Sequence, residues 1–66
     1  MNTNWNDIYG NYVSASEIVA AQGNNVTKIA EFLSEQWDEM YGDDPEAQKP
    51  ADFTGFAREI IREAQE

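Results

Sequence analysis

The chain has 66 residues, and 13 acidic residues against four basic ones give it a formal net charge of −9 at pH 7. This sign disfavours direct binding to nucleic acid or to an anionic membrane surface and favours basic protein surfaces as partners. The length leaves room for one domain, residues 1–66, which buries only about 60% of its unfolded surface and is therefore thinly stabilised. Since there is no cysteine, neither a disulfide nor a thiolate metal site can reinforce it.

The composition predicts a folded chain. Hydrophobic residues make up 41% of it and eight residues are aromatic, too many for the disordered acidic class. The start "MNTNWNDIYGNYV" lacks the basic residues and the apolar run of a secretory signal. No segment has the length of a membrane span, so a cytoplasmic location is the default expectation.

The first predicted element is a helix near the N-terminus. Its apolar stripe follows the spacing i, i+3, i+4, i+7 and i+8, and consists of Trp5, Ile8, Tyr9, Tyr12 and Val13. Gly10 and Asn11 interrupt this stripe with poor helix formers, which weakens the prediction.

A second, shorter helix is predicted over about Ala15 to Gln22. Ser14 can cap its start, and Glu17 stands three residues later, as in a capping box. Gly23 suits the position just beyond the C-terminal end.

The longest predicted helix lies in "NNVTKIAEFLSEQWDEMYG". Asn24 or Asn25 can cap it and Gly42 can end it. Its apolar stripe is continuous and comprises Val26, Ile29, Ala30, Leu33, Trp37, Met40 and Tyr41. The following "DDPEAQKP" combines two prolines with polar residues and predicts a loop.

The last predicted helix begins after Asp52, a good N-cap. Its stripe again has helical spacing, with Phe53, Phe56, Ala57, Ile60, Ile61 and Ala64. No alternating strand pattern occurs, so the predicted fold is all-α, a compact bundle of three to four short helices. The residues expected in its core are Leu33, Trp37, Phe56 and Ile60.

Seven carboxylates follow one another from the middle of the long helix into the loop. At 100° per residue, the helical ones point away from the apolar stripe. We call this set the acidic ridge: Glu31, Glu35, Asp38 and Glu39 in the helix, and Asp43, Asp44 and Glu46 in the loop. Tyr41 lies at the helix end beside it, and these eight residues are the candidate partner-binding site.

The ridge breaks two local rules of helix stability. Glu31 with Glu35, and Glu35 with Glu39, are like-charged pairs at i, i+4, which destabilise a helix by about 0.2–0.5 kcal/mol each. Asp38 and Asp43 are anions near the negative end of the helix dipole. No Lys or Arg occurs from residue 29 through residue 48, so no local compensation is expected. Local rules broken without compensation are expected where a chain binds a partner; the alternative is that the acids serve only solubility.

Two kinds of partner fit the ridge. Carboxylates about 6 Å apart along a rigid helix approach the spacing of phosphates on one DNA strand, so the ridge could occupy a nucleic-acid channel as a DNA mimic. In size and charge the chain resembles the small acidic proteins with which phages and plasmids inhibit restriction or CRISPR nucleases. The other kind of partner is an ordinary protein with a basic groove.

A different reading makes the chain a small helical adaptor or dimer that binds through surface aromatic residues. Tyr and Trp are frequent at binding hot spots, and the candidates are Trp5, Tyr9, Tyr12 and Tyr41. Arg58 and Arg62 form a basic pair on the last helix. They could meet the ridge of a second copy or pair with Glu59 and Glu63, and the pairing within the helix is the simpler expectation.

A DNA-binding role has weaker support. "SASEIVAAQGNNVTKIAEFL" has the helix, glycine turn and helix of a helix-turn-helix motif, but only Lys28 can neutralise phosphates there, against Glu17 and Glu31. The same stretch, especially "GNNVTKIAEFL", also resembles the last two helices of ubiquitin-associated-type three-helix domains. The Met-Gly-Phe-type binding loop of that family is not found ahead of it, so the resemblance implies no site residues.

Catalytic and metal-binding motifs are missing from the sequence. The chain has no histidine, no cysteine and no glycine-rich phosphate loop, so no enzymatic activity and no cofactor are expected. A calcium loop starting at Asp38 would need oxygen ligands where Met40 and Gly42 stand. One starting at Asp43 meets Pro45, so no metal site is predicted.

Overall fold

Four helices make up the fold of residues 4–65, which are the residues that the computed structural model describes. They are α1 (Trp5–Tyr9), α2 (Ala15–Gln22), α3 (Val26–Tyr41) and α4 (Phe53–Gln65). No strand occurs among the described residues, so the predicted all-α fold is confirmed. Within the same range, no helix is both long enough and apolar enough to cross a membrane.

The limits of α2 agree with the prediction. The Ser14 side chain accepts the Glu17 N–H at 3.2 Å, and Gly23 has a φ of 80°, a conformation that favours glycine. The return bond of a capping box is not formed there, and the Glu17 carboxylate accepts a hydrogen bond from the Ser14 hydroxyl at 3.2 Å. A complete capping box lies at the start of α1, between Asn4 and Asp7, where the sequence analysis placed none.

Side-chain caps also fix the starts of the two long helices. Of the two candidate asparagines, Asn25 caps α3, and its Oδ1 accepts the Lys28 N–H at 3.1 Å. Asp52 Oδ1 accepts the Gly55 N–H at 2.9 Å at the start of α4. The segment between α3 and α4 contains only turns and bends, as its two prolines predict.

The core lies where α3 and α4 pack against each other and against α2. Among the described residues, every residue buried in it is aliphatic or aromatic, and none is of a polar or charged type. The four residues predicted for the core are all buried. The buried set is Trp5, Tyr9, Ile18, Ile29, Leu33, Trp37, Phe56, Ala57 and Ile60.

The prediction for the N-terminal helix is right about its existence and wrong about its length. Helix α1 ends at Tyr9, and the chain then turns, with the Tyr12 N–H donating to the Tyr9 carbonyl at 2.9 Å. Gly10 and Asn11 are the physical reason, because both favour turns over helix. Tyr12 therefore leaves the apolar stripe and is 69% exposed.

Candidate protein-binding surface

All seven carboxylates of the acidic ridge are exposed. Four of them lie within α3, on the side away from Ile29, Leu33 and Trp37, whose side chains are buried. Glu31, Glu35 and Glu39 are each one turn apart, which corresponds to about 6 Å along the helix axis. The structure therefore brings the helical part of the predicted site together as one row.

The loop carboxylates continue directly from the end of α3 through ordered turns. The Asp44 N–H donates to the Tyr41 carbonyl at 3.0 Å, and the Asp44 side chain accepts the Glu46 N–H at 2.9 Å. The Ala47 N–H donates to the Asp44 carbonyl at 3.2 Å. Asp44 and Glu46 are thus tied to the helix end by backbone geometry.

One cation partly neutralises the ridge, which corrects the expectation that nothing local compensates its charge. Lys49 Nζ lies 2.9 Å from Asp38 Oδ1, and the same ammonium lies 5.9 Å from the centre of the Phe53 ring. The two charged side chains are 42% and 62% exposed, so the pair contributes at most about 1 kcal/mol. Within residues 4–65, no cation lies within 4.0 Å of the other six ridge carboxylates.

Tyr41 borders the ridge and is held by the core. Its ring centre lies 4.5 Å from that of Trp37, with the ring planes tilted by 42°. Trp37 is buried and Tyr41 is half-buried. Tyr41 therefore offers part of a firmly packed ring beside the carboxylates.

Two of the four aromatic residues considered as surface anchors are inside the protein. Trp5 is 3% exposed and Tyr9 is 2% exposed. The Tyr9 hydroxyl donates to the Leu33 carbonyl at 2.7 Å. Burial, followed by the charges of Tyr41 and Asp38, raises the pKa of Tyr9 from 10.0 to about 12. Burial thus removes Trp5 and Tyr9 from the possible contact surface.

Neither Arg58 nor Arg62 of α4 pairs with Glu59 or Glu63. No carboxylate in the described part of the chain lies within 4.0 Å of Arg58 or Arg62, contrary to the expected pairing with Glu59 and Glu63. Glu63 accepts a 2.6 Å hydrogen bond from Trp5 Nε1–H instead. Its side chain therefore holds α1 on α4.

A metal site would need several oxygen ligands converging on one point. Among residues 4–65, no group of three or more His, Cys, Asp or Glu side chains is arranged to hold a metal ion.

Comparisons with protein-family models, with curated proteins and with solved structures gave no match for this chain.

Proposed function

We propose that this chain is a stoichiometric binding protein that presents the acidic ridge to a basic surface of another protein. The observation that supports this proposal is the exposed row of carboxylates on α3 and the following loop, of which only Asp38 has a cation within 4.0 Å among residues 4–65. A row of fixed charge on a rigid helix gives electrostatic complementarity and steers association.

The fold makes little use of these acids: the Asp44 side chain accepts the Glu46 N–H and Asp38 pairs with the exposed Lys49, but the other five have no such contact among residues 4–65. The described core is apolar, and no buried charge needs a ridge carboxylate as its partner. Other acids have structural tasks: Asp7 accepts the Asn4 N–H at the start of α1, Asp52 caps α4, and Glu63 accepts from Trp5 Nε1–H. In the helical part of the ridge, like charges one turn apart only reduce stability. A partner outside the chain supplies the compensation that the chain lacks.

The partner class that fits best is a nucleic-acid-handling protein. Its basic channel is built to hold phosphates, and carboxylates spaced about 6 Å apart on a helix meet such a channel with the correct sign. The chain would then act as a DNA mimic that inhibits a nuclease, in the manner of anti-restriction or anti-CRISPR proteins from phages and plasmids. Neither catalysis nor a cofactor is needed for this role.

A second candidate function is a small adaptor or dimer that binds through surface aromatic residues. The observation that favours it is Tyr12, the large hydrophobic residue that residues 4–65 expose most, at 69%. Burial of Trp5 and Tyr9 leaves Tyr12 and the half-buried Tyr41 to carry such a contact. In that case binding would depend little on salt, and Tyr12→Ala would weaken it.

The experiment compares two variants of equal net charge. The variant that we call ridge-neutral replaces the row of three glutamates on α3, out of the seven ridge carboxylates, by Glu31→Gln, Glu35→Gln and Glu39→Gln, which changes the net charge from −9 to −6. The matched control combines Ser16→Lys, Ala20→Lys and Gln65→Lys at exposed positions of α2 and α4, and also reaches −6. Circular dichroism is used to check that both variants fold.

Each protein is titrated into complexes of duplex DNA with a panel of restriction and CRISPR nucleases, and displacement of DNA is measured. We expect the natural chain and the matched control to displace DNA from at least one nuclease at about one chain per site, and the ridge-neutral variant to fail. Equal displacement by both variants would contradict the proposal, since it would mean that net charge alone acts. No displacement from any nuclease would reject the inhibitor role.

A further inference from the structure

An open groove of about 640 Å³ lies beside the acidic ridge, where four parts of the chain meet. Ile8 of α1, Trp37 of α3 and Phe56 of α4 contribute apolar surface to it. Pro50, from the segment before α4, adds a further apolar wall. Its volume lies within the roughly 300–1,000 Å³ of sites that enclose a small ligand or a large side chain.

The charged residues of the groove lining are mostly acidic. Asp52 and Glu59 line it, and no cation lies within 4.0 Å of either carboxylate in the described range. Lys49 also lines it, but Asp38 of the ridge already neutralises this ammonium at 2.9 Å. The groove therefore favours an apolar group that carries positive charge next to it.

Trp37 connects the groove to the ridge. It lines the groove and precedes Asp38 in the sequence, so the two features share one turn of α3. Trp37 is 9% exposed, and residues 4–65 offer no acceptor for its indole N–H, whereas Trp5 donates to Glu63. Among the described residues, no buried side-chain polar atom lacks a partner, so this N–H is open to solvent, where a carbonyl of a bound chain could accept from it.

We propose that this groove receives one large apolar side chain from a basic segment of the partner protein, with flanking Lys or Arg residues on Asp52, Glu59 and the ridge. The inference rests on the proposed function and adds an anchor to it. The ridge supplies attraction at a distance, and the groove selects the segments that carry an apolar residue between basic ones. A second copy of the chain is disfavoured as the occupant, because two chains of net charge −9 repel each other.

The test uses two capped peptides, Lys-Arg-Phe-Arg-Lys and Lys-Arg-Ser-Arg-Lys, whose affinities for the full chain are measured by NMR titration. We expect the Phe peptide to bind about tenfold more tightly than the Ser peptide. Shifts of the Trp37 indole and of the Ile8 methyl groups should occur with the Phe peptide only. Equal affinity for the two peptides would overturn the inference.

Two variants obstruct the groove without touching the core. Ala51→Trp and Gln48→Trp each place a large side chain at an exposed position of the lining. Either should abolish the preference for Phe and leave the affinity for the Ser peptide unchanged. The matched control is Ala20→Trp on the exposed surface of α2, which should retain the tenfold preference. If both variants retain the preference for the Phe peptide, the Phe side chain binds elsewhere and the groove is not its site.

The ridge-neutral variant separates this inference from the proposed function. It should bind both peptides more weakly by the same factor and retain the ratio between them. If it binds both as tightly as the natural chain does, the ridge proposal fails while the groove stands. Sedimentation velocity tests whether a second copy of the chain fills the groove instead. If the natural chain self-associates and the Ala51→Trp variant is monomeric, a second copy occupies the groove and the inference is overturned.

Discussion

The Tyr9 hydroxyl donates a 2.7 Å hydrogen bond to the Leu33 carbonyl inside the protein, and this bond joins α1 to the middle of α3. Helix α1 has five residues, too few to be stable in isolation. Its place in the fold depends on the side chains of Trp5 and Tyr9, both of which are buried. One wall of the groove, Ile8, lies between them in the same helix.

Removing that hydroxyl should lower stability without changing the fold. Tyr9→Phe keeps the ring and loses the hydrogen bond, so we expect the free energy of unfolding to fall by about 1 kcal/mol. Tyr12→Phe is the matched control. Because Tyr12 is exposed, this substitution should change the free energy of unfolding by less than about 0.5 kcal/mol. Urea denaturation measures both. Equal effects of the two substitutions would mean that the Tyr9 bond contributes nothing.

The raised pKa of Tyr9 predicts a loss of stability at alkaline pH. The pKa of Tyr9 is 10.0 in the unfolded reference and about 12 in the folded chain, so the folded state holds this proton more tightly. The resulting stabilisation is fully present below pH 10 and is lost as the pH rises through about 12. Tyr9→Phe should lack this loss. We therefore expect the stability of the natural chain to fall towards, or below, that of Tyr9→Phe as the pH increases, and parallel curves would disprove the assignment.

We expect Lys49 to weaken partner binding by the ridge more than it stabilises the fold. Lys49→Met removes the ion pair with Asp38 and should change the free energy of unfolding by less than about 1 kcal/mol, because both groups are largely exposed. It should strengthen binding to a basic partner severalfold at low salt, because Asp38 becomes uncompensated. Arg58→Met changes the net charge equally on α4 and should have a smaller effect on affinity. Isothermal titration calorimetry measures the affinity of each variant for the basic partner. Equal affinities would refute a special role for Asp38.

The like charges of α3 should have a measurable cost. Glu35 has Glu31 on one side and Glu39 on the other at i, i+4, so Glu35→Gln should raise stability by about 0.4–1 kcal/mol at low salt. Salt should reduce this gain, because it screens exposed charges. Glu17→Gln should have the opposite sign, since Glu17 lies in the first turn of α2, where an anion is favourable. Thermal unfolding at two salt concentrations measures both, and a Glu35→Gln variant of lowered stability would contradict the prediction.

The limits of α2 and the starts of α3 and α4 could be predicted, because they depend on nearby residues. Ser14, Asn25 and Asp52 each cap a helix through a backbone N–H three residues away, and Gly23 supplies a positive φ. Such signals are contained in a few consecutive letters of the sequence. The outward direction of the ridge follows equally from the helical period of α3.

Contacts between distant segments could not be predicted in this way. Tyr9 meets Leu33 over 24 residues and Trp5 meets Glu63 over 58, so the burial of Trp5 and Tyr9 depends on how α1 packs rather than on its own stripe. Lys49 reaches Asp38 across 11 residues because the loop turns back. The groove combines α1, α3, α4 and the segment before α4, and no single motif encodes it.

The measurement that tests the central claim most directly is the salt dependence of partner binding by the two variants of net charge −6. With the nuclease from which the natural chain displaces DNA, we expect the matched control to retain most of the affinity and a steep decrease with increasing salt. The ridge-neutral variant should bind at least tenfold more weakly at low salt and show a shallower slope. If the two variants bind equally tightly with equal slopes, the position of the carboxylates on α3 is irrelevant, and the acidic ridge is not the binding surface.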